Sequence, residues 1–161
     1  MKITKRLFII FFALTIYISL FPAYKTFSDD VVITGDFGNN GYFVYKGNEF
    51  EWSIISDNTN EIIKIGHGVR YTTNGKTEIV EFPSSIKGIP VKIIGDSCLL
   101  NNKNIKEVII PNSVIRIEDR AFDNCTGLKK ITLSKNIKYI GKNAFYNVGK
   151  KNDKCRIVWN K

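Results

Sequence analysis

A chain of 161 residues provides for one ordinary domain plus a targeting segment, and it excludes a large multidomain enzyme. With 43% hydrophobic and 24% charged residues, the composition also excludes wholesale disorder. The net charge of +9 falls to +6 once Lys2, Lys5 and Arg6 are set aside, a balance that suits either a lysine-rich soluble face or contact with acidic surfaces such as anionic glycans.

Residues 1–23 read as a signal peptide or an N-terminal anchor. Met1 to Arg6 is short and basic, Leu7 to Phe21 is apolar, and Pro22-Ala23 follows, which is the order of a secretory leader. As a helix the apolar stretch would reach roughly 22 Å at about 1.5 Å per residue, short of the ~30 Å hydrocarbon core. An A-x-A cleavage pattern is absent, because Phe21 and Pro22 precede Ala23, so both alternatives stand. Under either one, residues 24 onward lie outside the cytoplasm, and the expected location is secreted or cell-surface. Contact with a membrane is expected only through this segment, if it stays uncleaved.

Residues 24–41 read as a linker, with Gly35 to Gly41 (GDFGNNG) as its glycine- and asparagine-rich part. Residues 42–77 read as a β cap. Tyr42 to Tyr45 is aromatic and β-branched, and Phe50, Trp52 and Ile54 alternate. Ile63, Ile65 and Val69 alternate less regularly, and Asp57-Asn58 is the expected hairpin turn.

Residues 78–150 are periodic. Ile94-Gly95, Ile117-Glu118 and Ile140-Gly141 recur every 23 residues, and the same register aligns Cys98, Ala121 and Ala144, then Leu99, Phe122 and Phe145. It also pairs Ile105 with Leu128, Val108 with Ile131, Ile110 with Leu133 and Val114 with Ile137. In the unit from Leu128 to Val148, Ile131 and Leu133 are expected inward and Thr132 outward, by the period-two rule of strands. Ala144-Phe145 is expected on a short helical turn. One such unit cannot bury its apolar face, whereas stacked units share a core. An earlier unit is longer: Phe82-Pro83 precedes Ile110-Pro111 by 28 residues, with Gly88 and Pro90 marking a looped-out turn. Residues 151–161, with Cys155 to Trp159 (CRIVW), read as a C-terminal cap strand preceded by a polar lead-in from Gly149 to Asp153.

The units Val108 to Leu133 and Ile79 to Leu99 resemble the BspA-like leucine-rich repeats of bacterial and protist surface proteins, whose pattern is I-P-x-S-V, then I-G-x-x-A-F, then C-x-x-L. Pro111, Ser113, Val114, Ile117, Ala121, Phe122, Cys125 and Leu128 fit it. Glu118 for Gly, Cys98-Leu99 for Ala-Phe and Ser134 for Pro depart from it. The expected fold class is an α/β leucine-rich-repeat solenoid with short strands, short helical turns and a β-rich N-terminal cap. For function the resemblance implies adhesion to host extracellular proteins or between cells.

No catalytic constellation, cofactor motif or metal spacing stands out. His67 is the only histidine, far in sequence from Cys98, Cys125 and Cys155, so a nucleophile with an adjacent base is not expected. The odd number of cysteines leaves at least one thiol without an internal partner. Cys125 is expected to be a buried thiol, and Cys98 too far from it for an easy disulfide. Asn124-Cys125-Thr126 has the glycosylation form but falls within a core turn. The lysines at 129, 130, 135, 138 and 142 have no interleaved aromatics for base stacking, and nucleic acid is not an expected partner.

The outward positions of the strand stack are Glu81, Ile109 and Thr132, flanked by Glu107, Lys130 and Arg156, and the candidate partner-binding residues are Glu81, Ile109, Thr132, Lys130 and Arg156. The expected function is an exported protein-binding module, whose partner is an extracellular or surface protein or else an anionic glycan. The alternative is a small structural cell-envelope protein without a specific ligand.

Overall fold

The computed structural model describes residues 31–36, 38–46, 48–57, 60–68, 78–150 and 153–161. The leader lies outside them, as do the expected linker up to residue 30 and residues 69–77 of the expected cap.

Four antiparallel strands come first: β1 (Val31–Asp36), β2 (Asn40–Tyr45), β3 (Asn48–Asp57) and β4 (Asn60–Gly68). Alternation drives them, since Phe43 and Tyr45, Phe50 and Trp52, and Ile63 and Ile65 are buried while their neighbours are less so. The expected linker therefore contains a strand. Val31 and Ile33 are buried on the same side as the core positions of β2, and the glycine- and asparagine-rich stretch itself enters both strands, Gly35 pairing with Tyr42 and Asp36 with Gly41, with Gly38 at φ 85° in the connection. Asp57 of the expected hairpin turn is a strand residue, pairing with Asn60 as the last rung of β3 and β4, and Asn58 lies outside the described residues.

The solenoid follows. Its first sheet is parallel, β5 (Ile79–Glu81), β8 (Glu107–Ile109), β10 (Lys130–Leu133) and β14 (Arg156–Trp159), stacked in that order. A second parallel ladder comprises β7 (Ile89–Ile94), β9 (Arg116–Ile117) and β11 (Tyr139–Ile140). It is continuous with the antiparallel strands, because β4 pairs parallel with β7. The longer early unit is accommodated by β6 (Ser85–Ile86) turning back onto β7. Lys87 (φ 54°) and Gly88 (φ 77°) form the two-residue turn there, the left-handed pair that matches strand twist.

The expected helical turns are not helices; among the described residues there is none. At 96–101, 119–124 and 142–147 the backbone turns without coiling, because left-handed residues recur at Ser97 and Asn101, Arg120 and Asn124, and Asn143 and Asn147. Amides such as those of Leu100, Asp123 and Tyr146 donate three residues back, but the amides between them bond to the next turn. Ser97, Leu99 and Asn101 donate to the carbonyls of Asp119, Ala121 and Asp123 at 3.0, 2.7 and 2.9 Å, and Arg120, Phe122 and Asn124 repeat this one turn on. The architecture is thus a β-solenoid of about three turns, with no α layer among the described residues.

The core is an apolar column between the two ladders. Val80, Val108 and Ile131 from one side and Ile94 and Ile117 from the other are fully buried. A spine of phenylalanines links the antiparallel strands to the last turn: Phe43–Phe50, Phe50–Phe82, Phe82–Phe122 and Phe122–Phe145, with ring centroids 5.2, 5.3, 6.4 and 5.2 Å apart. Two departures from the repeat pattern have local partners. Glu118 accepts a hydrogen bond from the Asp96 amide at 3.1 Å and pairs with Lys64 at 2.6 Å. Ser134, buried, donates to the Val114 carbonyl at 2.6 Å.

The chain from 149 onward differs from its reading as a lead-in and closing strand. β12 (Gly149–Lys150) and β13 (Asp153–Lys154) form a small hairpin. β14 adds to the parallel sheet and leaves Ile157 half exposed, although Ile131, its partner in register, is fully buried. It extends the stack and does not seal it.

Candidate binding surface

Two rows of side chains cross the outward face of the β5–β8–β10–β14 sheet. Ile79, Glu107, Lys130 and Arg156 stand in one register line, and Glu81, Ile109, Thr132 and Val158 in the other. Val80, Val108 and Ile131 occupy the alternate, buried positions, so the outward sense of these rows follows from strand geometry. All five residues singled out from the sequence therefore share one face.

Ile109 is half buried between its neighbours and is less open than a freely exposed side chain. Ile79, at the first strand, is the more exposed apolar residue. Charge on the face is largely internally paired. Lys130 Nζ lies 2.5 Å from Glu107 and Lys46 Nζ 2.6 Å from Glu81. The hydrogen bond that Lys46 donates to the Glu81 carboxylate raises the Lys46 pKa above the ordinary lysine value. Exposed pairs of this kind contribute roughly 0–1 kcal/mol each, so they orient side chains more than they hold the fold. Ile79 and Val158 are the members of the surface that sequence reasoning missed; the signal for Val158 was the parity of CRIVW against Thr132.

The other candidate groups do not converge. His67 lies on β4. Cys98, Cys125 and Cys155 are free thiols. Burial raises the pKa of all three, and Cys125 is pushed up to about 11. Its Sγ donates to the Leu99 carbonyl at 3.1 Å. A thiol held protonated in this way is a packing group and a poor nucleophile. Among the described residues no three His, Cys, Asp or Glu side chains are grouped to hold a metal ion.

A second set of polar groups, unremarked in the sequence, runs along the turns. Asn147 donates to Asn124 and Asn124 to Asn101, at 2.6 and 2.7 Å. The signal was present as three asparagines 23 residues apart.

Residues 92–157 match the family model described as a BspA type leucine rich repeat region (6 copies). The crystal structure of a leucine-rich repeat protein of T. pallidum is similar, with TM-score 0.54 and 28% identity over 61% of this chain and 42% of that one. This chain thus spans well under half the length of that relative. A leucine-rich repeat protein of Bacteroides capillosus shares the fold, with TM-score 0.56 and 19% identity over 77% of this chain and all of that one. No curated protein matches the chain. Residues 92–157 are thus similar to the BspA type leucine rich repeat region, in a fold shared with bacterial leucine-rich repeat proteins.

Proposed function

We propose that this protein is an exported binding module, secreted or held at the cell surface, that engages another protein through the outward face of its four-stranded parallel sheet. The observation that carries the reading is the convergence of Glu81, Ile109 and Thr132 with Lys130 and Arg156 on that one face. Side chains on a continuous sheet are held by their rungs, so little ordering entropy is lost on binding. A half-buried Ile109 set among polar neighbours suits an apolar anchor with a polar rim. The relevant partners are extracellular matrix or surface proteins, with adhesion to host or neighbouring cells as the role, and no chemistry on a substrate. An anionic glycan is the second partner class, favoured by the net charge of +9.

Export rests on the basic and apolar leader at residues 1–23. The β1–β4 strands are proposed as the N-terminal cap, supported by the β4–β7 pairing and by Phe50 packing on Phe82.

The test is binding of the full chain to an array of extracellular matrix proteins and anionic glycans, at low and at physiological salt. Saturable binding that persists at physiological salt and weakens in a folded Ile109→Asp variant is expected. Binding that vanishes with salt reduces the interaction to charge attraction. Failure across the array leaves a small structural cell-envelope protein. Recovery of the intact chain, leader included, from the cytosolic fraction would overturn export.

A further inference from the structure

Gly66, inside strand β4, has no local reason to be glycine. Elsewhere the reason is visible. Gly38 and Gly88 lie at positive φ. A β-carbon at Gly41 would overlap the Gly35 carbonyl oxygen, and one at Gly95 would come within 2.8 Å of the Ile65 carbonyl oxygen. The backbone at Gly66 is not left-handed, and an added β-carbon would meet only the Glu51 side chain, at ordinary distances of 3.7 and 3.8 Å. Glycine within a strand weakens it through entropy and lost packing. One that neither the backbone nor its neighbours require marks a place kept clear for something else.

That place is a depression of about 310 Å³ on the outward face of β2, β3 and β4. Each of these strands has a hydrogen-bonded neighbour on both edges, so the depression belongs to the middle of a sheet. Two cross-strand pairs frame it, Asn40 with Ser53 and Tyr42 with Glu51. Phe43 and Trp52, next to them along the strands, are buried, so these side chains point outward. At the β3–β4 bulge Gly66 and His67 both fall opposite Glu51. A bulge re-aims the chain locally, a device common beside functional sites. Opposite residues stand about 4.5–5.5 Å apart at Cβ, and alternate residues of a strand about 7 Å apart, which frames an area the size of one sugar ring. Among the described residues the side chains of Asn40, Glu51 and Ser53 take part in no hydrogen bond or ion pair. By contrast Glu49, on the same strand, accepts from Thr34, and Glu118 pairs with Lys64.

We infer that this depression binds a neutral pyranose ring of a glycan, with the C–H face of the ring on Tyr42 and its hydroxyls on Glu51, Asn40 and Ser53. Sugar hydroxyls both donate and accept. They match a set in which a carboxylate only accepts, while an amide and a hydroxyl do both. The C–H face is apolar and covers an aromatic ring. An ammonium or guanidinium group would satisfy Glu51 but gives the Asn40 amide no acceptor. An anionic sugar would bring its charge against Glu51. A wholly apolar ligand would desolvate polar groups without replacing their partners. The volume is near the low end of ligand clefts, about 300–1,000 Å³, and suits one ring of a longer chain lying across the face. This site is on a different sheet from Glu81, Ile109 and Thr132, so it and the protein-binding reading can fail separately.

The experiment screens the full chain at physiological salt against an array of neutral oligosaccharides spanning gluco, galacto, manno and N-acetylated pyranoses. Heparin oligosaccharides and an oligolysine peptide are screened beside them. The strongest neutral binder is then titrated by calorimetry, and saturable binding that added salt does not weaken is expected. Gly66→Val is the deciding variant. Its β-carbon has room, so its melting temperature is expected to match or exceed that of the parent. Its side chain fills the depression and is expected to weaken binding by about tenfold or more. Tyr42→Ser is expected to weaken binding to a similar degree and Tyr42→Phe to keep it, because stacking needs the ring and not the hydroxyl. Ile109→Asp is expected to leave it unchanged. No neutral binder on the array, undiminished binding in a folded Gly66→Val or in Tyr42→Ser, or a salt-sensitive preference for oligolysine or heparin would each overturn the proposal.

Discussion

The Asn124 side-chain amide donates to the Asn101 side-chain oxygen at 2.7 Å, joining two turns of the solenoid at their left-handed residues. Asn147 extends the ladder by donating to Asn124 at 2.6 Å. One residue type thus serves two needs, because asparagine tolerates positive φ and its amide can both donate and accept.

Asn124→Ala loses both side-chain bonds and leaves at φ 59° a residue that tolerates the left-handed region less well than asparagine. Two partly exposed hydrogen bonds at about 0.5–1 kcal/mol each and roughly 1 kcal/mol of backbone strain predict a loss of about 2–3 kcal/mol. Asn124→Gly relieves the strain and should lose only the hydrogen-bond part, about 1–2 kcal/mol. Denaturant unfolding of the two variants beside the parent separates the contributions; equal losses would mean that the ladder, and not φ, sets the residue.

Two glycines should respond very differently to the same change. A Cβ at Gly127 would overlap the Lys103 carbonyl oxygen and lie 3.0 Å from that of Ile105. Backbone must move to admit it, so Gly127→Ala should cost at least about 2–3 kcal/mol. At Gly88, φ is 77° but nothing lies within 4 Å of the added carbon. Gly88→Ala should cost only the conformational strain, about 1–2 kcal/mol. Thermal melts that rank the pair in the opposite order would contradict the tight stacking of 127 on the preceding turn.

Much of this fold is legible in the sequence because its period is exact where packing is densest. Val108 and Ile131, Ile110 and Leu133, and Ile94 and Ile117 all recur at 23 residues, and all are buried. Outward positions follow from the same parity, which is why Glu81, Ile109 and Thr132 could be named before any coordinates. The turns were misread as helical because Ala-Phe on a short polar segment looks the same in a helix or in a tight β-turn. What decides is the left-handed backbone at Ser97, Arg120 and Asn143, and neither Ser nor Arg advertises it. The bonds between turns impose it. β1 escaped notice because VVITGD is brief and adjoins a glycine-rich stretch. The open end was illegible for a different reason. Ile157 has the pattern of a core residue, and its exposure depends on what stacks beyond it.

Ser134 stands where the repeat pattern has proline, and its hydroxyl ties its own turn to the segment at Val114. It donates to the Val114 carbonyl at 2.6 Å and accepts from the Asn136 amide at 3.1 Å. Ser134→Ala leaves both groups without this partner in a buried setting and should cost about 1–3 kcal/mol. Ser134→Thr keeps the hydroxyl but crowds a fully buried site, and should recover only part of that loss. Chemical denaturation of the three proteins decides it; a neutral Ser134→Ala would mean that the hydroxyl contributes nothing net.

The buried thiols give the fold an alkaline limit. Desolvation on burial is the main reason that Cys125 is pushed up to about 11, from an ordinary value near 9. The folded state therefore holds the proton more tightly than the unfolded chain. The stabilisation is complete below the unfolded pKa and is lost as pH rises from there through the folded value, a window from about pH 8.5 to the folded pKa of about 11. A shift of roughly two pKa units corresponds to about 2–3 kcal/mol. Burial raises Cys98 in the same direction. Unfolding free energy measured from pH 7 to 11 should fall less steeply in Cys125→Ala than in the parent, and the difference isolates this thiol from the titrating lysines and tyrosines. Alkylation at pH 8 offers an independent check. The partly exposed Cys155 should react first, and Cys98 and Cys125 only at the rate at which the solenoid opens. Parallel pH profiles for parent and variant, with equal alkylation of all three cysteines, would show that the thiols are not shielded in the core.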